Sequence, residues 1–318
     1  MAIPEVLEGR LRAPAIVAPM FLISGPDLVV EVCRAGLVGT FPALNQRTSA
    51  GLAEWLDEIR DRLAAAPAAA PFGVNLIVHR SNPRMAADLD IVVGRRAPVV
   101  ITSLGAVSEV VDAVHGYGGV VFHDVISRRH AEKAAAAGVD GIIAVCAGAG
   151  GHGGTLNPFA LVTEIASFFS GAIVLGGSIS TGRQVAAARM LGADLAYLGT
   201  RFIATRESLA AAAYKEMIVA ARADDIVYTP KLSGVHANFL RPSITAAGLD
   251  PDDLPERDGL FETSEAQVWK NFWSAGHGVD AVNDVPLAAK LCHQIAADYR
   301  EAITDVAADP FAHATASA

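Results

Sequence analysis

Short apolar runs alternate with helix-period segments through the first two thirds of the chain, and that alternation sets the expected architecture. Eight runs have the length of buried strands: AIVAPM (15–20), LVGTFPA (37–43), FGVNLIV (72–78), VVITSL (99–104), VVFHDV (120–125), GIIAVCA (141–147), AIVLGGS (172–178) and LAYLGTRF (195–202). Most are continuous rather than alternating, as expected of strands covered on both faces. Between them, helical spacing marks 26–36, 49–66, 107–118, 127–138, 157–169 and 181–192. Pro26 suits a first helical turn, a serine cap is expected at Ser49, and several segments stop at glycine.

Eight such strands, each followed by a helix, predict an α/β fold with a closed parallel (β/α)8 barrel. A doubly wound open sheet is the second choice. From Glu207 the pattern changes to a helical stretch (207–223), a turn-rich region and an acidic segment, GLDPDDLPERDG (248–259). The expected division is a barrel over 1–206, an appended, mostly helical lobe over 207–284, a closing helix over 285–303 and a frayed tail over 306–318.

Composition narrows the class. The 318 residues are 52% hydrophobic and 19% charged, with 29 glycines and 16 prolines, which fits a globular enzyme with a large core. A net charge of −9 argues against a nucleic-acid or anionic-membrane surface, although backbone N–H groups can still hold a small phosphate. Cys33, Cys146 and Cys292 are widely separated, and the nine histidines form no HxxxH or HExxH pair, so neither a disulfide framework nor a metal site is expected. Arg10 and Arg12 precede an apolar run as in a secretion signal, but Pro14 and Pro19 interrupt it; it reads as the first strand, and the cytoplasm is the expected compartment.

Active sites of such barrels collect at the carboxyl ends of the strands. Those ends carry Ala18, Pro19 and Met20; Asn75; His123 and Asp124; the run CAGAGGHGGTLNPF (146–159) with His152; LGGSISTGR (175–183); and YLGTRF (197–202). Gly176 and Gly177 after the seventh strand, with Gly199 and Thr200 after the eighth, suit a phosphate site built from backbone N–H groups, a hydroxyl and a helix N-terminus. Residues 148–153 match GxGxxG, yet they follow the sixth strand rather than the first, and TLNPF separates them from the next helix. A flat ring against these glycines, with its phosphate at strands seven and eight, is the preferred reading. His152 could then move a proton near neutral pH. His123 and Asp124 are adjacent, so only one can face the barrel mouth, and the sequence leaves open which. Cys146 reads as a core residue, and His236 as structural.

Taken together, APM (18–20), FGVNL (72–76), AGAGGHGG (147–154), the span 175–208 and WSAGHG (273–278) resemble the nitronate monooxygenases, formerly called 2-nitropropane dioxygenases. The resemblance covers nearly the whole chain and extends to the wider FMN-barrel superfamily, which includes quinone and enoyl-acyl-carrier-protein reductases. It implies a TIM barrel with a smaller lobe, one non-covalent FMN and no metal. Residue by residue, it implies flavin contacts from Ala18, Pro19, Met20, Asn75, Asp124, Val145, Gly150, Gly151, Tyr197 and Leu198, phosphate contacts from Gly176, Gly177, Ser178, Gly199 and Thr200, and a catalytic role for His152. His123, Ser274 and His277 become weaker substrate-side candidates. Many relatives have Gln in place of Val145 or Lys in place of Asp124, so the bonds to the flavin's pyrimidine edge are expected to differ.

The implied chemistry is oxidation of an alkyl nitronate, or a nitroalkane, with O2 to a carbonyl compound and nitrite. The rival expectations are an NAD(P)H-dependent reductase of a quinone or enoyl thioester, and a flavin-binding or flavin-free barrel without turnover. Partners are small molecules, with no nucleic acid and no membrane, and a homo-oligomer is compatible with the sequence.

Overall fold

Eight parallel strands close into a barrel in the computed structural model, which describes residues 2–79, 81–105, 108–255 and 265–312. The wall runs β1 (Ala15–Val17), β2 (Val38–Pro42), β3 (Gly73–Ile77), β4 (Val99–Ser103), β5 (Val120–Val125), β6 (Gly141–Val145), β8 (Ala172–Gly176) and β9 (Leu195–Leu198), with β9 pairing back onto β1. Each strand lies within its expected run, and several end early because the chain turns outward into the rim loops. The missing number, β7 (Gly151–His152), belongs to a second sheet.

Side-chain alternation divides the wall into two apolar shells. Ile16, Val38, Val99, Ile101, Phe122, Ile143, Ala172, Val174 and Leu195 fill the barrel interior, and Leu7 from the N-terminal segment packs with them. The intervening residues, among them Val74, Leu76, Val100, Val121, Ile142 and Ala144, pack outward under the helices. This two-shell burial explains the continuous apolar runs.

The outer helices are α1 (Pro26–Arg34), α2 (Ser49–Ala64), α3 (Met85–Gly94), α4 (Ser108–His115), α5 (Arg128–Ala136), α6 (Pro158–Ala166) and α7 (Gly182–Met190). Thr48, rather than Ser49, caps α2, its hydroxyl accepting from Gly51 N. Helix α3 has no side-chain cap at its start, so a strong local signal of a helix boundary is missing there. Only a single turn, α8 (Thr200–Ile203), follows β9. The eighth outer position is taken by α12 (Ala288–Ala307), which packs against α7 and α1 and runs past the start of the expected tail. Residues 313–318 of that tail lie outside the described residues.

The lobe carries α9 (Ala212–Ala220), β10 (Ile226–Thr229), β11 (Ala237–Leu240), α10 (Arg241–Ala246) and α11 (Glu265–Asn271). Helix exceeds strand, as expected, but the lobe is organised around an antiparallel sheet in the order β10-β11-β7. Its third strand comes from the barrel's own glycine-rich loop. The acidic segment lies outside the described residues from position 256. Among the described residues, no helix is long and apolar enough to cross a membrane.

Candidate active site

The strand ends build a polar floor inside the barrel. Alternation from Ile101, Phe122 and Leu195 places Ser103, Asp124 and Tyr197 on the axis side, and Asn75 falls between the outward Val74 and Leu76. Asn75 Nδ2 donates to Ser103 Oγ at 2.8 Å and to Ile101 O at 3.2 Å. Ser103 Oγ in turn donates to Asp124 Oδ2 at 2.6 Å. Among the described residues, Asp124 Oδ1 and the Tyr197 hydroxyl are buried without a hydrogen-bond partner. Burial pushes the Asp124 carboxyl up to about 6, against the opposing pull of the Ser103 bond. The Tyr197 phenol is held well above its usual range, first by burial and then by the charge of Asp124.

His123 points the other way. Its Nδ1 lies 2.8 Å from Thr102 Oγ1 beneath the helix layer, and burial, with a contribution from His130, lowers it to about 4. The strand register thus turns Asp124, not His123, toward the axis. A substrate role for His123 does not fit that placement.

Above the floor, the glycine-rich loop is fastened to the lobe. Gly151 and His152 pair with Asn238 and Ala237 of β11. Gly151 N donates to Ser274 Oγ at 2.7 Å, Asn238 Nδ2 donates to Ala149 O at 2.6 Å, and His277 N donates to Gly148 O at 2.9 Å. Gly276 N donates to Thr200 Oγ1 at 2.8 Å, and Ser178 N reaches Gly148 O at 3.4 Å. The segments around 148–153, 177–178 and 199–200 therefore meet at one rim, joined through 274–277. Met20 is there too, its Sδ 3.9 Å from where a Cβ on Gly199 would sit.

These contacts refine the meaning of the glycines. A Cβ at Gly150 would come within 2.9 Å of Gly276 N and 3.0 Å of the Ala275 carbonyl carbon, so the missing side chain there lets two backbones touch. At Gly151, by contrast, the space is open to at least 4 Å. Ser274, considered above as a substrate contact, holds the loop instead, its hydroxyl bonding both Gly151 N and Asn238 O, while His277 holds the loop through its backbone N–H and keeps its side chain exposed.

The partly buried His152 ring meets Trp269 edge to face, with centroids 5.3 Å apart, and Trp269 stacks on Phe239 at 5.2 Å. Ser103, Asn238, Phe239 and Trp269 had no local motif to announce them. The sequence offered a helix N-terminus to the phosphate site, but the start of α7 carries its own capping box: Gln184 N donates to the Thr181 hydroxyl and Thr181 N to Gln184 Oε1, so these two N–H groups are already taken. Cys146 is buried, as expected of a core residue. A cavity of about 550 Å³ in the lobe, lined by Ser243, Leu249, Phe272 and Trp273, shares no residue with the strand ends.

A family model described as nitronate monooxygenase matches residues 7–249. A nitronate monooxygenase of Pseudomonas aeruginosa is 29% identical over 304 residues, spanning 80% of this chain and 85% of that protein. A monooxygenase-like protein of Mycobacterium tuberculosis is 33% identical over 174 residues, and there the match spans 54% of this chain and 46% of the relative. Among solved structures, a FabK variant from Thermotoga maritima superposes with a TM-score of 0.79 at 26% identity, covering 96% of this chain and 97% of its own. The eight-stranded barrel and the family match over most of its length make this chain an oxidoreductase belonging to the nitronate monooxygenase family.

Proposed function

We propose that the protein binds one non-covalent FMN across the strand-end face and oxidises alkyl nitronates with O2 to a carbonyl compound and nitrite. The observation that carries this reading is the meeting of the His152 loop, Gly177–Ser178 and Gly199–Thr200 at one rim of a closed barrel. A flavin also suits the floor. Asp124 Oδ1 can accept a hydrogen bond and the Tyr197 hydroxyl can donate one; both are buried without partners, and the pyrimidine half of a flavin carries N–H and C=O groups.

In this reading Ala18, Pro19, Met20 and Asn75 would bear on the ring, while Gly177, Ser178, Gly199 and Thr200 would hold the phosphate through backbone N–H groups and hydroxyls. Bound FMN would supply the electron acceptor and the reaction with O2. His152 donates a hydrogen bond to the nitro oxygens of a nitronate, whose carbon is already electron-rich. With a neutral nitroalkane, the same imidazole removes the α-proton. Trp269 and Phe239 keep that ring in place and make its surroundings apolar, which strengthens its hydrogen bonds.

Purified protein should carry flavin absorption bands and, given propyl nitronate without NADH, consume O2 and release nitrite. Absence of both consumption and nitrite from a yellow preparation defeats the reading. The second reading, an NAD(P)H-dependent reductase of a quinone or enoyl thioester, draws support from the similarity to FabK over 96% of the chain. Anaerobic bleaching of the bound flavin by NADH would favour it.

A further inference from the structure

The floor under the proposed flavin holds a carboxyl group whose surroundings explain neither its charge nor its burial. Among the described residues, Asp124 receives one hydrogen bond, from Ser103 Oγ, and its other oxygen has no partner. The groups around it come from every neighbouring strand end. Ser103 and Ile101 belong to β4, Asn75 to β3, Ile143 and Val145 to β6, and Tyr197 to β9. Among the described residues, no lysine, arginine or histidine bonds to Asp124. A carboxylate placed there has a serine hydroxyl and a neutral phenol for company, with no positive charge among these groups. It would be poised to take a proton as soon as more negative charge arrived nearby.

Reduction of a flavin brings such charge. Two electrons enter the ring with one proton, leaving one negative charge to be neutralised by a second proton or by a neighbouring cation. This floor offers no described cation. We propose that Asp124, steered by Ser103 and faced by Tyr197, is the proton acceptor that accompanies flavin reduction, the proton landing on its partnerless Oδ1. The electrons come from the organic substrate in turnover, or from dithionite in a test. The proton comes from water and returns to it on reoxidation. On protonation, Oδ1 gains a donor while Oδ2 stays held by Ser103.

The inference rests on the flavin reading, and the experiment separates the two. The flavin-loaded holoprotein is reduced anaerobically with dithionite near pH 8 in weak buffer, and proton uptake per electron pair is measured with a pH indicator, corrected for the reductant's own protons. The wild type should take up two protons and Asp124→Asn one, with the variant's flavin also easier to reduce. Ser103→Ala should still take up two, with uptake extending to higher pH, because the bond that favours the charged carboxyl is gone. Equal uptake by wild type and Asp124→Asn overturns the inference while leaving the flavin in place. A wild-type preparation that binds no flavin removes the cofactor reading, and the inference with it. If Asp124→Asn fails to fold, the upward displacement of the uptake curve in Ser103→Ala decides the matter, and an unmoved curve counts against it.

Discussion

The floor and the rim of this barrel are built in opposite ways. On the floor, Asn75, Ser103, Asp124 and Tyr197 are aimed by strand alternation, and neighbouring strands supply the Asn75–Ser103–Asp124 bonds. On the rim, the loop bearing His152 is tied at its base by Ala147 N to Leu156 O and Gly154 N to Val145 O, but its Gly151–His152 stretch is placed by the lobe. Its position comes from Asn238, Ser274, Gly276 and His277, residues about 90 to 130 positions further along the chain. A side chain on the floor is fixed by the wall, whereas one on the rim is fixed only when the lobe docks. The two should therefore respond differently to substitution.

The largest effect belongs to the rim. His152→Asn should retain flavin and fold but lose about 10²-fold or more in nitronate turnover, the loss expected for a positioned acid, base or donor. Nitrite release at saturating nitronate measures it, and unchanged turnover would take His152 out of the mechanism.

The same contrast decided what the sequence could reveal. Strand positions and barrel closure were legible because they follow from eight short, continuous apolar runs alternating with helix-period segments, which need no distant partner. Side-chain alternation even limited the axis-facing residue of β5 to His123 or Asp124, but the choice depended on register against Ile142 and Ile143. Trp269 and Asn238 were invisible because nothing within a dozen residues of either specifies contact with a loop near 150. Gly150 shows a related limit: the space its side chain would take is filled by the Ala275–Gly276 backbone, a contact no local pattern announces.

Gly276→Ala tests the docking itself. A Cβ there would lie 2.3 Å from Gly148 O and 2.8 Å from Gly150 N, both backbone atoms that cannot rotate away. Overpacking of this kind costs about 2 kcal/mol. The midpoint of urea unfolding should fall accordingly, with turnover reduced further than flavin content because the strain falls on the His152 loop. A variant as stable and active as the wild type would mean that the lobe does not fasten the rim.

Asp124→Asn tests the floor through pH. The folded-state value of Asp124, about 6, lies above its ordinary value of 3.8, so its favourable contribution is complete below about pH 4 and is lost as pH rises through 6. Above that, the wild type bears the cost of a buried charge that asparagine avoids. In flavin-free protein the variant should be more stable than the wild type by about 1–2 kcal/mol at pH 8, allowing for partial solvent access, with no such gain near pH 4. Denaturant unfolding at the two pH values measures the difference. An advantage of equal size at both would show that the carboxyl's charge is not its source.

Ser274→Ala should give the smallest effect and the sharpest contrast between the regions. The Ser274 hydroxyl accepts from Gly151 N and donates to Asn238 O, and its backbone is held in turn by the Tyr214 hydroxyl. Alanine keeps the backbone anchor and removes both hydroxyl bonds, at a cost of about 1 kcal/mol because the edge strand can regain partners from water. That loss falls on the residue preceding His152. Turnover should therefore drop several-fold while the flavin's proton uptake, governed from the floor, stays at the wild-type value. A proton count that moved with Ser274→Ala would mean that floor and rim are one coupled unit, and the division between them would have to be abandoned.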